Sequence, residues 1–133
     1  MRAVLDMQDM PLPSPKPLAA PVATKHGKLT LQIEGAEQPL VVENQGHILI
    51  GRASSHSVRV PDVDLAPYHA FNKGVSSLHA TIFRAEEGLC ISDLGSLNGT
   101  YLNRECLTPH MGYALHTGDI IYLGQMAMQV YFE

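Results

Sequence analysis

The chain has 133 residues, 45% of them apolar and 17% charged, and a net charge of -4. That is the size and composition of one ordinary globular domain with enough residues to bury a core, not of a disordered segment. The acidic balance excludes a general nucleic-acid or membrane-surface binder, which needs a basic field, but leaves room for a small local anion site.

Two cysteines, Cys90 and Cys106, are present. Cys90 falls in the apolar pattern Leu89-Cys90-Ile91, where a buried free thiol is expected, and nothing suggests a disulfide scaffold or a zinc site. No apolar run approaches transmembrane length, and the first residues lack the apolar core of a secretory signal. These features predict a soluble, cytoplasmic protein in a reducing compartment, acting as a monomer with no membrane or nucleic-acid partner.

Residues 1–26 read as a flexible tail, and residues 27–133 as the domain. Four prolines alternate in Pro11-Leu12-Pro13-Ser14-Pro15-Lys16-Pro17. Proline fixes φ and removes a donor, so this stretch favours polyproline II or disorder. A ligand for a proline-binding module is one reading; a linker or solvated arm is the preferred one.

From Gly27 the pattern changes to period two. Leu29, Leu31 and Ile33 alternate with Thr30 and Gln32, a half-buried strand. Residues 40–42 and 47–50 give two more strands, and Val58-Arg59-Val60 a short one stopped by Pro61. Asp62 to Gly74 is the longest irregular stretch inside the domain, and long loops of compact domains are usually functional or mobile. Residues 80–84 and 89–92 flank the turn Glu86-Glu87-Gly88 and predict a hairpin. Asn98-Gly99 lies between alternating apolar segments, the strongest short-range signal for a hairpin with a tight type I′ turn. Thr100 to Leu102 is a strand, Asn103-Arg104-Glu105 a turn, and Leu107 to Leu115 irregular. Residues 120–123 and the alternating run Met126, Met128, Val130, Phe132 close the chain around Gly124-Gln125.

Many short strands, frequent glycine and proline, and no amphipathic helix predict an all-β fold. The expected form is a two-sheet β-sandwich of mostly antiparallel strands. Loops cluster at the ends of such a sandwich, and one end is where a binding site is expected.

Chemistry of an enzymatic kind is not expected. The seven histidines show no metal-ligand spacing. Ser96 lacks the second glycine of a nucleophile elbow. No catalytic residue, metal or cofactor is assigned. An anion site is better supported. Arg52 follows a strand end and a glycine; Ser76 and Ser77 open a strand after the long loop; Asn98 leads a tight turn. Arginine, hydroxyls and turn N–H groups gathered at one loop end form a phosphate site. Taken singly, each has a plainer account: Arg52 as a surface charge, the serines bonding their own loop, Asn98 as a turn residue.

Gly51-Arg52, Ser76-Ser77-Leu78-His79 and Asn98-Gly99-Thr100, in this order, resemble the motifs of the forkhead-associated (FHA) domain, a phosphothreonine-peptide reader. The flanks Asp93-Leu94-Gly95-Ser96 and Gly118 to Gly124 resemble it too, and the likeness runs from about Lys28 to Glu133. It implies that Arg52 bonds the peptide backbone near the phosphate, that Ser76 donates its hydroxyl to the phosphate, and that Asn98 bonds the peptide backbone. Gly51, His79, Gly99 and Thr100 would be structural, with His79 bracing the loops from inside. Two positions depart from the family pattern. The residue after Ser76 is often Arg, Lys or Asn and here is Ser77; the residue before Asn98 is often Thr or Ser and here is Leu97. Losing one charge-assisted bond and one hydroxyl donor costs about 1–3 kcal/mol, a weakening of roughly 5- to 150-fold. Lys73, in the adjacent loop, is the residue expected to compensate.

The resemblance therefore implies phosphothreonine-dependent peptide binding in Ser/Thr kinase signalling, with weakened phosphate affinity. The alternative is a phosphate-independent docking or assembly module, whose loop end would present Tyr68, Phe71 and Leu97 as an apolar surface. Self-binding through a phosphorylated Thr24 is not expected, because that threonine sits on a short tether close to the domain.

Overall fold

The computed structural model describes residues 28–43, 46–55 and 59–133. Residues 1–27, with the proline-rich stretch and Thr24, lie outside the described residues, as do residues 44–45 and 56–58. The described strands are β1 (Lys28–Ile33), β2 (Leu40–Glu43), β3 (Ile48–Gly51), β4 (Val63–Asp64), β5 (Ala80–Ala85) and β6 (Gly88–Asp93). They continue with β7 (Thr100–Leu102), β8 (Glu105–Cys106), β9 (Tyr113–Ala114), β10 (Ile120–Leu123) and β11 (Met126–Tyr131).

They form two sheets, a six-stranded one in the order β2-β1-β11-β10-β7-β8 and a five-stranded one in the order β4-β3-β5-β6-β9. All pairings are antiparallel except β3 with β4. The all-β sandwich read from the alternation is the fold observed. Register explains the layers. Leu31 lies opposite Val130 and Ile33 opposite Met128, so the apolar set of β1 and β11 faces inward together. Ile121 and Leu123 continue that face on β10, while Ile48, Ile50, Ile82 and Ile91 supply the opposing one. Each such buried side chain stabilises the fold by about 1.5–3 kcal/mol relative to exposure.

Four local expectations change. The Asn98-Gly99 pair does not close a hairpin: β6 and β7 belong to different sheets, so residues 94–99 form a strap from one layer to the other. Gly99 takes φ 88°, but Asn98 stays outside the left-handed region. The two-residue left-handed turn is instead Asn103-Arg104, with φ 49° and 90°, between the paired residues Leu102 and Glu105. It is held by Asn103, which donates to Asp119 at 2.9 Å and accepts from the Ile120 N–H at 2.9 Å. Arg59 and Val60 form no strand, and Val58 lies outside the described residues; Val63 and Asp64, inside the stretch read as irregular, pair with β3. The Asp62 carboxylate accepts from the Leu49 N–H and the Asp64 carboxylate from the Ala53 N–H, which draws this segment along β3. Finally, Tyr113 and Ala114 pair with β6 in a region read as irregular.

Candidate functional site

β3 ends at Gly51, where the chain runs against the strand-entry segment 75–79. A Cβ at Gly51 would stand 1.9 Å from the Ser77 carbonyl oxygen, so no larger residue fits. The Arg52 N–H donates to that carbonyl at 3.2 Å, and the His79 N–H donates to Ile50 at 2.8 Å. Arg52 Nε donates to the Val75 carbonyl at 2.6 Å, and the guanidinium lies over the Phe71 ring, 4.9 Å from its centroid. Arg52 is thus pinned at the loop end by a hydrogen bond and a cation–π contact, with its outer nitrogens as its remaining donors.

His79 ties two loops together from within. It is fully buried. Its Nδ1 accepts from the Ser76 N–H at 2.9 Å, so the proton sits on Nε2, which donates to the Gly99 carbonyl at 2.9 Å. Burial pushes its pKa below the ordinary value, against the opposing pull of the Gly99 bond and the Asp93 charge. The ring is therefore a neutral strut.

Ser76 Oγ accepts from the Leu97 N–H at 3.1 Å, which orients the hydroxyl and leaves its own hydrogen to donate elsewhere. Asn98 donates through Nδ2 to the Gly74 carbonyl at 3.0 Å, leaving its amide oxygen as an acceptor on an exposed side chain. Gly74 has φ 82° and a Cβ there would lie 2.7 Å from Asn98 Nδ2. Ser77 is half-buried, its carbonyl taken by Arg52.

The strap 94–99 hangs from Asp93. One carboxylate oxygen accepts from the hydroxyls of Ser96 and Thr100, each at 2.6 Å. The other accepts from the N–H groups of Gly95 at 3.0 Å and Ser96 at 3.1 Å. Ser96 Oγ in turn accepts from the Gly99 N–H at 2.9 Å. Burial raises the pKa of Asp93, but these bonds outweigh it and hold the carboxyl below its usual range. The β10–β11 turn supports the strap from the six-stranded sheet: the Gly124 N–H donates to Gly99 and the Gln125 N–H to Lys73. Neither Asp93 nor Ser96 was singled out from the sequence as an organiser. The available signal was Asp-x-Gly-Ser, an acceptor two and three residues before the N–H groups it collects.

The structure brings Arg52, Ser76, Ser77, Asn98 and Leu97 to one loop end. Lys73 has its backbone there, and its ammonium lies 3.4 Å from Glu34 in the β1–β2 turn, so in this structure the charge is engaged with a carboxylate. Leu97 is 86% exposed and Phe71 72%, whereas Tyr68 packs against the core and is lost from the expected apolar surface. Among the described residues, no cluster of His, Cys, Asp and Glu is placed to hold a metal ion, and no helix is long and apolar enough to cross a membrane.

Comparison with known proteins gives this geometry a family. The chain is 30% identical over 107 residues to protein FraH of Nostoc sp., a match covering 80% of this chain and 37% of FraH, so it spans little more than a third of that relative. A solved FHA domain studied for phosphothreonine-dependent interactions superposes with a TM-score of 0.59 and 27% identity, covering 78% of this chain and 95% of that one. The solution structure of an Arabidopsis thaliana FHA domain gives a TM-score of 0.65 and 27% identity, covering 85% of this chain and 94% of that one. The FHA domain family model matches residues 48–124, from the first residue of β3 to the turn after β10, and this chain belongs to the FHA domain family.

Proposed function

We propose that the loop end binds a phosphothreonine-containing protein segment. The supporting observation is the pairing of Arg52, fixed through Val75 and Phe71, with the oriented Ser76 hydroxyl one residue beyond Val75. Arg52 and Ser76 donate to the phosphate, Ser77 adds a neutral donor beside them, and Asn98 accepts from the peptide backbone through its free amide oxygen. Lys73 joins only by leaving Glu34, which costs under about 1 kcal/mol for so exposed a pair. No cofactor takes part, and the unit that binds is residues 27–133 acting as a monomer.

Binding of a degenerate phosphothreonine peptide library, beside its unphosphorylated counterpart and an Arg52→Ala control, tests the reading. Binding that requires phosphate and is lost in the control supports it. Equal binding of both libraries overturns it in favour of phosphate-independent docking, the second reading, which the exposed Phe71 and Leu97 favour. Salt separates the two further, since phosphate readout weakens with ionic strength and apolar docking does not.

A further inference from the structure

The two most exposed large apolar side chains of the described residues, Leu97 and Phe71, stand on the two loops that form the anion site. Phe71 is not a stray surface residue. Its ring carries the Arg52 guanidinium at 4.9 Å, and its carbonyl accepts from the Gly74 N–H at 3.2 Å, which fixes the backbone beneath it. Leu97 is held by its own N–H on Ser76 Oγ, and its neighbour Asn98 is clamped to Gly74. Both side chains are therefore presented from ordered backbone directly beside polar groups that would hold a phosphate and a peptide chain. A solvent-exposed leucine between a serine and an asparagine of a binding loop contributes nothing to the core, which is complete without it.

We infer that Phe71 and Leu97 select the residues flanking the phosphothreonine: the ligand carries apolar side chains next to it in place of charged ones. The inference rests on the phosphopeptide reading of the site. The occupant follows from position. A segment with its phosphate at Arg52 and Ser76 passes over the strap beside Leu97 and past the ring that backs Arg52. An extended chain advances about 3.3 Å per residue, so side chains within three residues of the phosphothreonine reach about 10 Å to either side. Phe71 lies against Arg52 and Leu97 is bonded to Ser76, the two groups that would hold the phosphate. Aliphatic or aromatic residues there remove apolar surface of both partners from water. A charged residue of either sign would lose its hydration against Phe71 and Leu97, and with the Arg52 charge engaged by the phosphate no free charge there compensates it. The apolar rim also offsets what Ser77 and Leu97 subtract from phosphate affinity, so specificity shifts from the phosphate toward its neighbours.

The experiment uses the full chain with phosphothreonine peptides scanned at three residues on each side with Leu, Asp or Lys, against the wild type, Leu97→Ser and Phe71→Leu. Leu97→Ser alters an exposed side chain and leaves the Ser76 bond, made by the backbone, in place; Phe71→Leu keeps apolar bulk while removing the ring. The expected result is a preference for Leu over Asp of about 5- to 30-fold at one or more positions, reduced several-fold in Leu97→Ser. Phosphate-dependent binding with no flank preference, or with one unchanged in both variants, overturns this inference and leaves the phosphopeptide reading standing. Binding indifferent to phosphate overturns both.

Discussion

Two layers of the loop end are built on opposite principles. The inner layer, His79 and Asp93 with Thr100 and Ser96, is made of polar groups whose bonds are nearly all directed to neighbours. The outer layer, Arg52, Asn98, Phe71 and Leu97, makes at most one side-chain hydrogen bond per residue inward, with the Arg52–Phe71 contact beside it, and keeps its other groups outward. Removing a partner from a saturated buried network leaves an orphaned group and costs stability, whereas trimming a rim group costs mainly what it would have bound. The inner layer therefore sets where the loops are and the outer layer what they meet.

Substitutions that cross this boundary should separate the two. Gly51→Ala is the strongest inner-layer break. Its Cβ meets the Ser77 backbone, so unfolding in urea should show a loss of about 3 kcal/mol, and a wild-type midpoint would contradict the packing described. His79→Ala strips the acceptor from the Ser76 N–H and a donor from Gly99, with an expected loss of roughly 2–3 kcal/mol. The same ring predicts a pH signature. Its folded pKa lies below the ordinary 6.5, so the unfolded chain takes up the proton first. The stability it supplies is complete above pH 6.5 and declines as pH falls through the folded pKa, and that part of the decline should vanish in His79→Ala.

Asp93→Asn comes next, at about 1–2 kcal/mol, because an amide keeps one acceptor but turns its NH2 toward donors. Its folded pKa is held below the ordinary 3.8, so its contribution is present above that pH and is lost as pH falls through the folded value. An acid titration of stability that is identical in wild type and Asp93→Asn would show that the strap does not hang from this carboxylate. Arg52→Ala should be the mildest for the fold, about 1 kcal/mol for the lost Val75 bond, while phosphopeptide affinity falls at least about tenfold. Equal losses in folding and binding across these variants would erase the distinction between the layers.

Period-two alternation made the core legible, since Leu29, Leu31, Ile33, Met126, Met128 and Val130 all turn inward as their spacing requires. The loop-end residues were legible through the resemblance of their motifs, in order, to those of the FHA domain. What escaped was decided at long range. Asn98-Gly99 has local hairpin chemistry, but β7 finds its partners in the other sheet, and layer membership is not a property of four residues. The real left-handed turn, Asn103-Arg104, lacks the glycine that would have announced it and relies on Asp119 and Ile120 across the sheet. β4 pairs with β3 through the backbone, and the carboxylates of residues 62 and 64 add bonds to Leu49 on β3 and to Ala53 just past it. Lys73 meets Glu34 because two turns far apart in the chain come to the same end of the sandwich.

The clamp on Asn98 also bears on chemical ageing. An asparagine followed by glycine degrades when the glycine nitrogen attacks the side-chain amide and expels ammonia. Here that nitrogen's hydrogen is bonded to Ser96 Oγ, and the amide nitrogen that would leave is bonded to Gly74. These two bonds hold attacker and leaving group in place, so the folded domain resists at Asn98 a conversion to which the unfolded chain is open.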